Sequence, residues 1–221
     1  MTPAAGILAA EIRASGPIPF RRFMEVALYH PEHGYYRRAA GRDPFGKEGD
    51  FFTAEQVQPV FGILIASTIR ALFDSLGSPP GFTVVELGAG RREMANAFSE
   101  WNYVPVDIDS GALPERFTGI VFSNEFFDAL PVDSVICKEG IFHEQLVGFR
   151  NNEFVWETGA PVSEESNAYL RRYFPPAEDG RVYEVGLEAL WWQVKWRDKC
   201  ALLSSFRCSH MAEPPWLRDR K

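Results

Sequence analysis

The chain is poor in residues that would tie it to a disulfide framework, a metal or a nucleic acid. Its three cysteines, Cys137, Cys200 and Cys208, are odd in number and widely separated. That excludes a disulfide scaffold and is the usage of a reducing compartment. The four histidines, His30, His33, His143 and His210, share no metal-ligand spacing, and no Cys-x-x-Cys pair occurs, so no metal is expected. Basic residues number 23 against 30 acids, a net charge of −7. A protein that works by neutralising phosphates needs the opposite balance, so the expected partners are small molecules or proteins. No apolar run approaches a membrane span, and Glu11 interrupts the opening stretch MTPAAGILAAEIRASG. Neither a signal peptide nor a membrane segment is expected, and with the cysteine usage this gives a cytoplasmic protein. A Gly-x-Ser-x-Gly elbow, a phosphate-binding Gly-Lys-Ser/Thr loop, internal repeats and low-complexity tracts are all lacking.

What is present is a hydrophobic fraction of 46%, enough for a proper core. Residues 4 to 14 have the spacing of a short amphipathic helix that stops at Gly16-Pro17, and FRRFMEVALYH that of a second, ended by His30-Pro31. The Gly- and aromatic-rich stretch from Gly34 to Gly62 is too irregular for one element and reads as a long, functional loop. A further helix follows Pro59 and closes at Gly77. From residue 82 the pattern alternates: FTVVELG a strand, RREMANAFSEW a helix, YVPVDID a strand, IVFSNE a strand. That predicts a mostly parallel sheet covered on both faces. Beyond Pro131, DSVICKEG, IFHEQLVGF and NNEFVWE alternate with period two between Lys-Glu-Gly and Arg-Asn-Asn turns, the pattern of antiparallel strands. SEESNAYLRRYF reads as a helix capped by Ser163, GRVYEVG as a strand and LEALWWQVKW as a helix. Its Trp191, Trp192 and Trp196 suit core and interface equally. The expected organisation is an N-terminal helical and lid segment over residues 1–81, packed on an α/β core over 82–221 that carries an antiparallel β insertion, with 193–221 a divergent tail.

Three groups of residues carry chemistry. Gly88 and Gly90 follow a strand directly, so the backbone can turn sharply and approach a ligand without a Cβ in the way. Glu86 stands just before that turn, where a carboxylate can orient an amine-bearing or cationic ligand. Asp107 ends the next apolar strand at the spacing of a ribose-binding acid, with Asp109 the weaker candidate. Asn124 and Glu125 end the third strand, and in an open α/β sheet such strand-end groups converge on one crevice. Asn124 offers a donor and an acceptor, and Glu125 can grip a guanidinium or take its proton. A tight turn, a solvated strand end and a helix cap would leave the same residues, and spacing alone does not choose. Where dinucleotide loops place a third glycine the chain has Arg92, which favours an acid-x-Gly-x-Gly loop of the S-adenosylmethionine type over a nicotinamide-cofactor oxidoreductase.

Together YHPEHGYY (29–36), DPFGKEGDFFTAEQVQPVFG (43–62), VELGAGR (85–91) and NEFFDALPVD (124–133) resemble the MidA-like class I methyltransferases, in the family's order and over roughly residues 16 to 150. That family includes a mitochondrial complex I assembly factor that methylates an arginine. The resemblance implies a Rossmann-like methyltransferase core, S-adenosylmethionine as cofactor and a protein side chain, arginine, as acceptor, with a respiratory complex subunit as a candidate partner. It implies that Gly88 and Gly90 line the cofactor's amino-acid end with Glu86 nearby. It further implies that Asp50, Phe51 and Thr53 fold over the pocket, and that Asn124 and Glu125 face the transferred methyl group. The chain departs from the family in having Arg92 for a glycine, a shorter middle with one strand where the family has two, and a patternless tail. YVPVDID may thus stand for the later of those two strands, which would take Asp107 away from the ribose. The departures favour the rival reading, a non-catalytic descendant that uses the same surface for assembly.

Overall fold

The computed structural model describes residues 1–37, 59–108, 110–197 and 199–200. Asp50, Phe51 and Thr53, Asp109 and the tail beyond Cys200 lie outside the described residues. The chain is mixed α/β and falls into two compact units: Met1–Pro44 with Ala129–Leu190, and Phe45–Asp128 with Trp191–Lys221. This division differs from a single boundary at residue 81, because the chain leaves the first unit and returns to it after Asp128.

In the first unit α1 (Pro3–Ser15) starts at Thr2, whose Oγ1 accepts from the Ala5 amide. Gly16 ends it with φ +87. After the two-residue β1 (Ile18–Pro19), α2 (Phe20–Tyr29) turns its apolar side inward. Leu8, Ile12, Ile18 and Val26 form a core with Val147, rimmed by Phe20, Phe23, Phe149 and Phe154. The strands here are β5 (Asp133–Lys138), β6 (Ile141–Arg150), β7 (Glu153–Pro161) and β8 (Val182–Val185). They build an antiparallel sheet in the order β1-β6-β5-β8, with β7 also on β6. The predicted turns are there: Glu139-Gly140 and Asn151-Asn152 all have positive φ, the requirement of a two-residue hairpin whose twist matches its strands. Glu164–Tyr173 forms a helix capped by Ser163, whose Oγ accepts from the Ser166 amide.

The second unit is built on a three-stranded parallel sheet, order β3-β2-β4, of β2 (Thr83–Leu87), β3 (Asn102–Val106) and β4 (Gly119–Ser123). All five residues of β2 are buried, as a central strand covered on both faces must be. Pro105 sits in β3, where an edge strand tolerates a missing N–H. The helix α3 (Val60–Ser75) covers one face, where Ile69, Phe82, Val84, Met94, Phe98 and Trp101 pack. Val85, Leu87, Val106, Phe117 and Cys200 pack on the other, with Trp192 and Trp196 from the final helix (Leu187–Arg197) against them.

The helix expected over RREMANAFSEW is absent. Only Glu93–Ala95 winds as a 3-10 turn, and Arg92, Ala95, Ser99 and Trp101 all donate to carbonyls three residues back. Met94, Phe98 and Trp101 have helical spacing because all three reach the same core, but the left-handed backbone at Arg92 and the early start of β3 leave no room for regular turns.

Two glycine substitutions separate space from crowding. A Cβ on Gly6 meets nothing, whereas one on Gly119 falls onto the backbone carbonyl of Thr83 in the paired strand. Gly6→Ala should raise the urea midpoint by up to about 1 kcal/mol of stability. Gly119→Ala should lower it by about 1–3 kcal/mol or more, since backbone cannot yield as a side chain can.

Candidate active site

The parallel register places the ends of three strands side by side. Leu87 is level with Val106 on one side and Ser123 on the other. The residues that follow are Gly88, Asp107 and Asn124, so the groups singled out by sequence meet at one edge of the sheet. The Gly88 and Ala89 amides both donate to the Val106 carbonyl, at 2.9 and 3.2 Å, which stitches the glycine loop to the end of β3.

Gly88 has φ +71, and a Cβ there would press on the Phe126 ring at 3.1 Å. The aromatic that follows Asn124-Glu125 thus seats the glycine loop, and its ring meets Trp192 edge-on, centroids 5.4 Å apart. Gly90, φ +49, donates its amide to Asp107 Oδ2 at 2.5 Å. The other oxygen of Asp107 accepts from the Ile108 amide at 2.6 Å. The strand YVPVDID pairs directly with β2, so Asp107 lies at the end of the strand adjacent to the glycine loop. Of the two acids weighed for a ribose, only Asp107 lies within the described residues.

Glu86 is 5% exposed. Its Oε2 accepts from the Tyr103 hydroxyl, which comes from β3, diagonally across the ladder. Burial pushes its pKa up to about 7; the Tyr103 bond acts against that rise, while the carboxylates of Glu93 and Asp107 add to it. Sequence reasoning gave Tyr103 and Phe126 no role. Their contribution depends on strand register, which no local pattern encodes.

Asn124 is half-buried and Glu125 exposed. Glu125 has φ +51, a left-handed backbone for a residue with a side chain, and Arg92 has φ +62. Such strain gathers at functional sites. At Arg92 it explains why a glycine suits that position: the conformation is one a side chain pays to adopt.

The donor set suits S-adenosylmethionine. A buried carboxylate that neighbouring acids push toward neutrality is stabilised by an incoming cation, and that cofactor carries an ammonium and a sulfonium. Open glycine backbone stands beside it. Gly88, Gly90, Glu86 and Asp107 are the residues that would hold the group.

Residues 93–200 match the family of S-adenosyl-L-methionine-dependent methyltransferases. The protein arginine methyltransferase NDUFAF7 homolog of Drosophila melanogaster, a mitochondrial protein by name, is 41% identical over 198 residues, which take in 66% of this chain and 45% of that protein. Its human counterpart is 34% identical over 91 residues, 41% of this chain and 20% of that one. Among solved structures, a Burkholderia thailandensis protein bound to S-adenosyl-homocysteine superposes with a TM-score of 0.74 at 29% identity, covering 90% of this chain and 59% of that one. These matches support a MidA-like methyltransferase family for the chain. It spans less than half the length of the Drosophila relative. Because 66% of 221 residues is fewer than the 198 matched, the relative also has residues inside the matched span that this chain lacks, in keeping with the short middle. The expected cytoplasmic location is corrected: the fly and human relatives are both named as mitochondrial. The acidic, cysteine-poor composition behind that expectation describes a reducing interior and does not tell one such compartment from another. Among the described residues no helix is long and apolar enough to cross a membrane.

Two measurements check this electrostatic picture. Burial raises the pKa of Glu86 to about 7 in the folded state, above the ordinary carboxylate value of 4.5, so the folded state holds the extra proton between those values. Stability should therefore fall as pH rises from about 5 to 8, by up to about 3 kcal/mol, and Glu86→Gln should remove that slope in urea titrations. Arg92→Gly should add about 1 kcal/mol of stability by relieving the left-handed backbone.

Proposed function

We propose that this chain is an S-adenosylmethionine-dependent methyltransferase with a Rossmann-like class I core, acting on an arginine side chain of a protein. The observation that carries the reading is the alignment of Glu86, Gly88, Asp107 and Asn124-Glu125 at the ends of three adjacent parallel strands. The names of the fly and human relatives as protein arginine methyltransferases support the acceptor. A respiratory complex subunit is the candidate substrate.

The cofactor supplies a methyl group on a positively charged sulfur. The chain's own task is to position a nitrogen in line with it and to exclude water. Glu125 is exposed at the strand end, so its carboxylate can hold a guanidinium by two charge-assisted bonds and accept the proton the nitrogen sheds. Asn124 is placed to orient the same nitrogen through its carbonyl oxygen.

A second reading has its own support. The Gly90 amide is already committed to Asp107, and among the described residues the parallel sheet has three strands. A binding protein that keeps the cofactor loop without transfer fits those features.

Calorimetric titration with S-adenosylmethionine and a methylation assay on candidate subunits test both. Binding should be seen, with Glu125→Ala and Asn124→Ala retaining affinity while transfer falls about 10²- to 10⁴-fold. Binding with no transfer to any candidate would support the second reading, and no binding by folded protein would overturn the first.

A further inference from the structure

Glu86 and Tyr103 form a pair whose geometry is hard to account for as packing alone. The inner face around them is apolar, with Phe98 against Tyr103 at 5.8 Å and against Phe122 at 5.4 Å between centroids. Phe122 is also the residue paired with Glu86 in β4. An acid at this position is costly when ionised, and a leucine would fill the space. Tyr103 takes only one of the two carboxylate oxygens, Oε2. Among the described residues the single buried side-chain N or O atom without a partner is Trp101 Nε1, so Oε1 of Glu86 is not left both buried and unpartnered. The Glu86 carboxylate, one residue before the end of β2 and two before Gly88, is held through Oε2 by Tyr103. The charged groups acting on the pair are Glu93 and Asp107, which oppose its ionisation, and Arg92, which acts on the tyrosine.

We infer that Tyr103 is a positioning residue for the cofactor: it holds Glu86 through Oε2, favours its ionised form and turns Oε1 toward the cofactor's cationic end. The inference rests on the methyltransferase reading of this site. Two consequences follow from charge alone. Affinity for S-adenosylmethionine depends on ionised Glu86 and therefore rises with pH. S-adenosylhomocysteine lacks the sulfonium but keeps the ammonium of the amino-acid end, so its affinity rises with pH in the same sense.

The test is calorimetric titration of the full chain with each of the two molecules between pH 5.5 and 8.5. The wild type should bind S-adenosylmethionine more tightly as pH rises through about 7, and S-adenosylhomocysteine likewise. Tyr103→Phe removes the bond that favours the ionised acid, so the midpoint should move upward by roughly one pH unit. Glu86→Gln should bind S-adenosylmethionine more weakly and show no midpoint in this range. A merely structural tyrosine would lower affinity equally at every pH, and an unmoved midpoint in folded Tyr103→Phe overturns the inference. No binding by the wild type at any pH overturns the methyltransferase reading beneath it.

Discussion

Everything proposed for this protein depends on the parallel pairing of β2 between β3 and β4. Five consecutive buried residues are hydrogen-bonded on both sides in matched register, so the three strands end level. A slip of one residue would turn every side chain of a strand to the other face. It would send Glu86 to the opposite face from Tyr103 and part Asp107 from Gly90. The buried β-branched residues that hold register are therefore also what assembles the site.

The site is strained, and much of the strain is electrostatic. A nearly sealed acid, two neighbouring carboxylates and two non-glycine residues in left-handed backbone stand around one loop. None of these stabilises the fold. The covered faces of the sheet offset them, through Val84, Met94 and Phe98 on one side and Val85, Leu87 and Cys200 on the other. A cationic ligand would relieve the repulsion, which is why the same residues make better sense as a binding site than as a turn.

Much of the architecture was legible because it is written in short-range chemistry. Thr2 and Ser163 cap helices, positive-φ pairs close the two hairpins, and period-two alternation marks β5 to β7. The helix expected after the glycine loop was misread for an instructive reason. Met94, Phe98 and Trp101 recur at helical spacing, yet that spacing records a shared core more than a hydrogen-bond pattern. Arg92 likewise stood out in the sequence only as a departure from a glycine, and its cost lies in the backbone.

The sequence by itself determined most of the element types, the glycine loop and the acids at strand ends, and it carries the resemblance to the methyltransferases, since these rest on residue identity and local spacing. Tertiary structure decided which strand lies beside β2, and so which acid meets the loop. It also decided that Glu86 turns inward to Tyr103 and that Phe126 seats Gly88. Those are contacts between residues about 17 to 40 positions apart. Only a completed sheet register brings them together, because hydrogen bonding between strands is blind to side-chain identity while burial of the whole face is not.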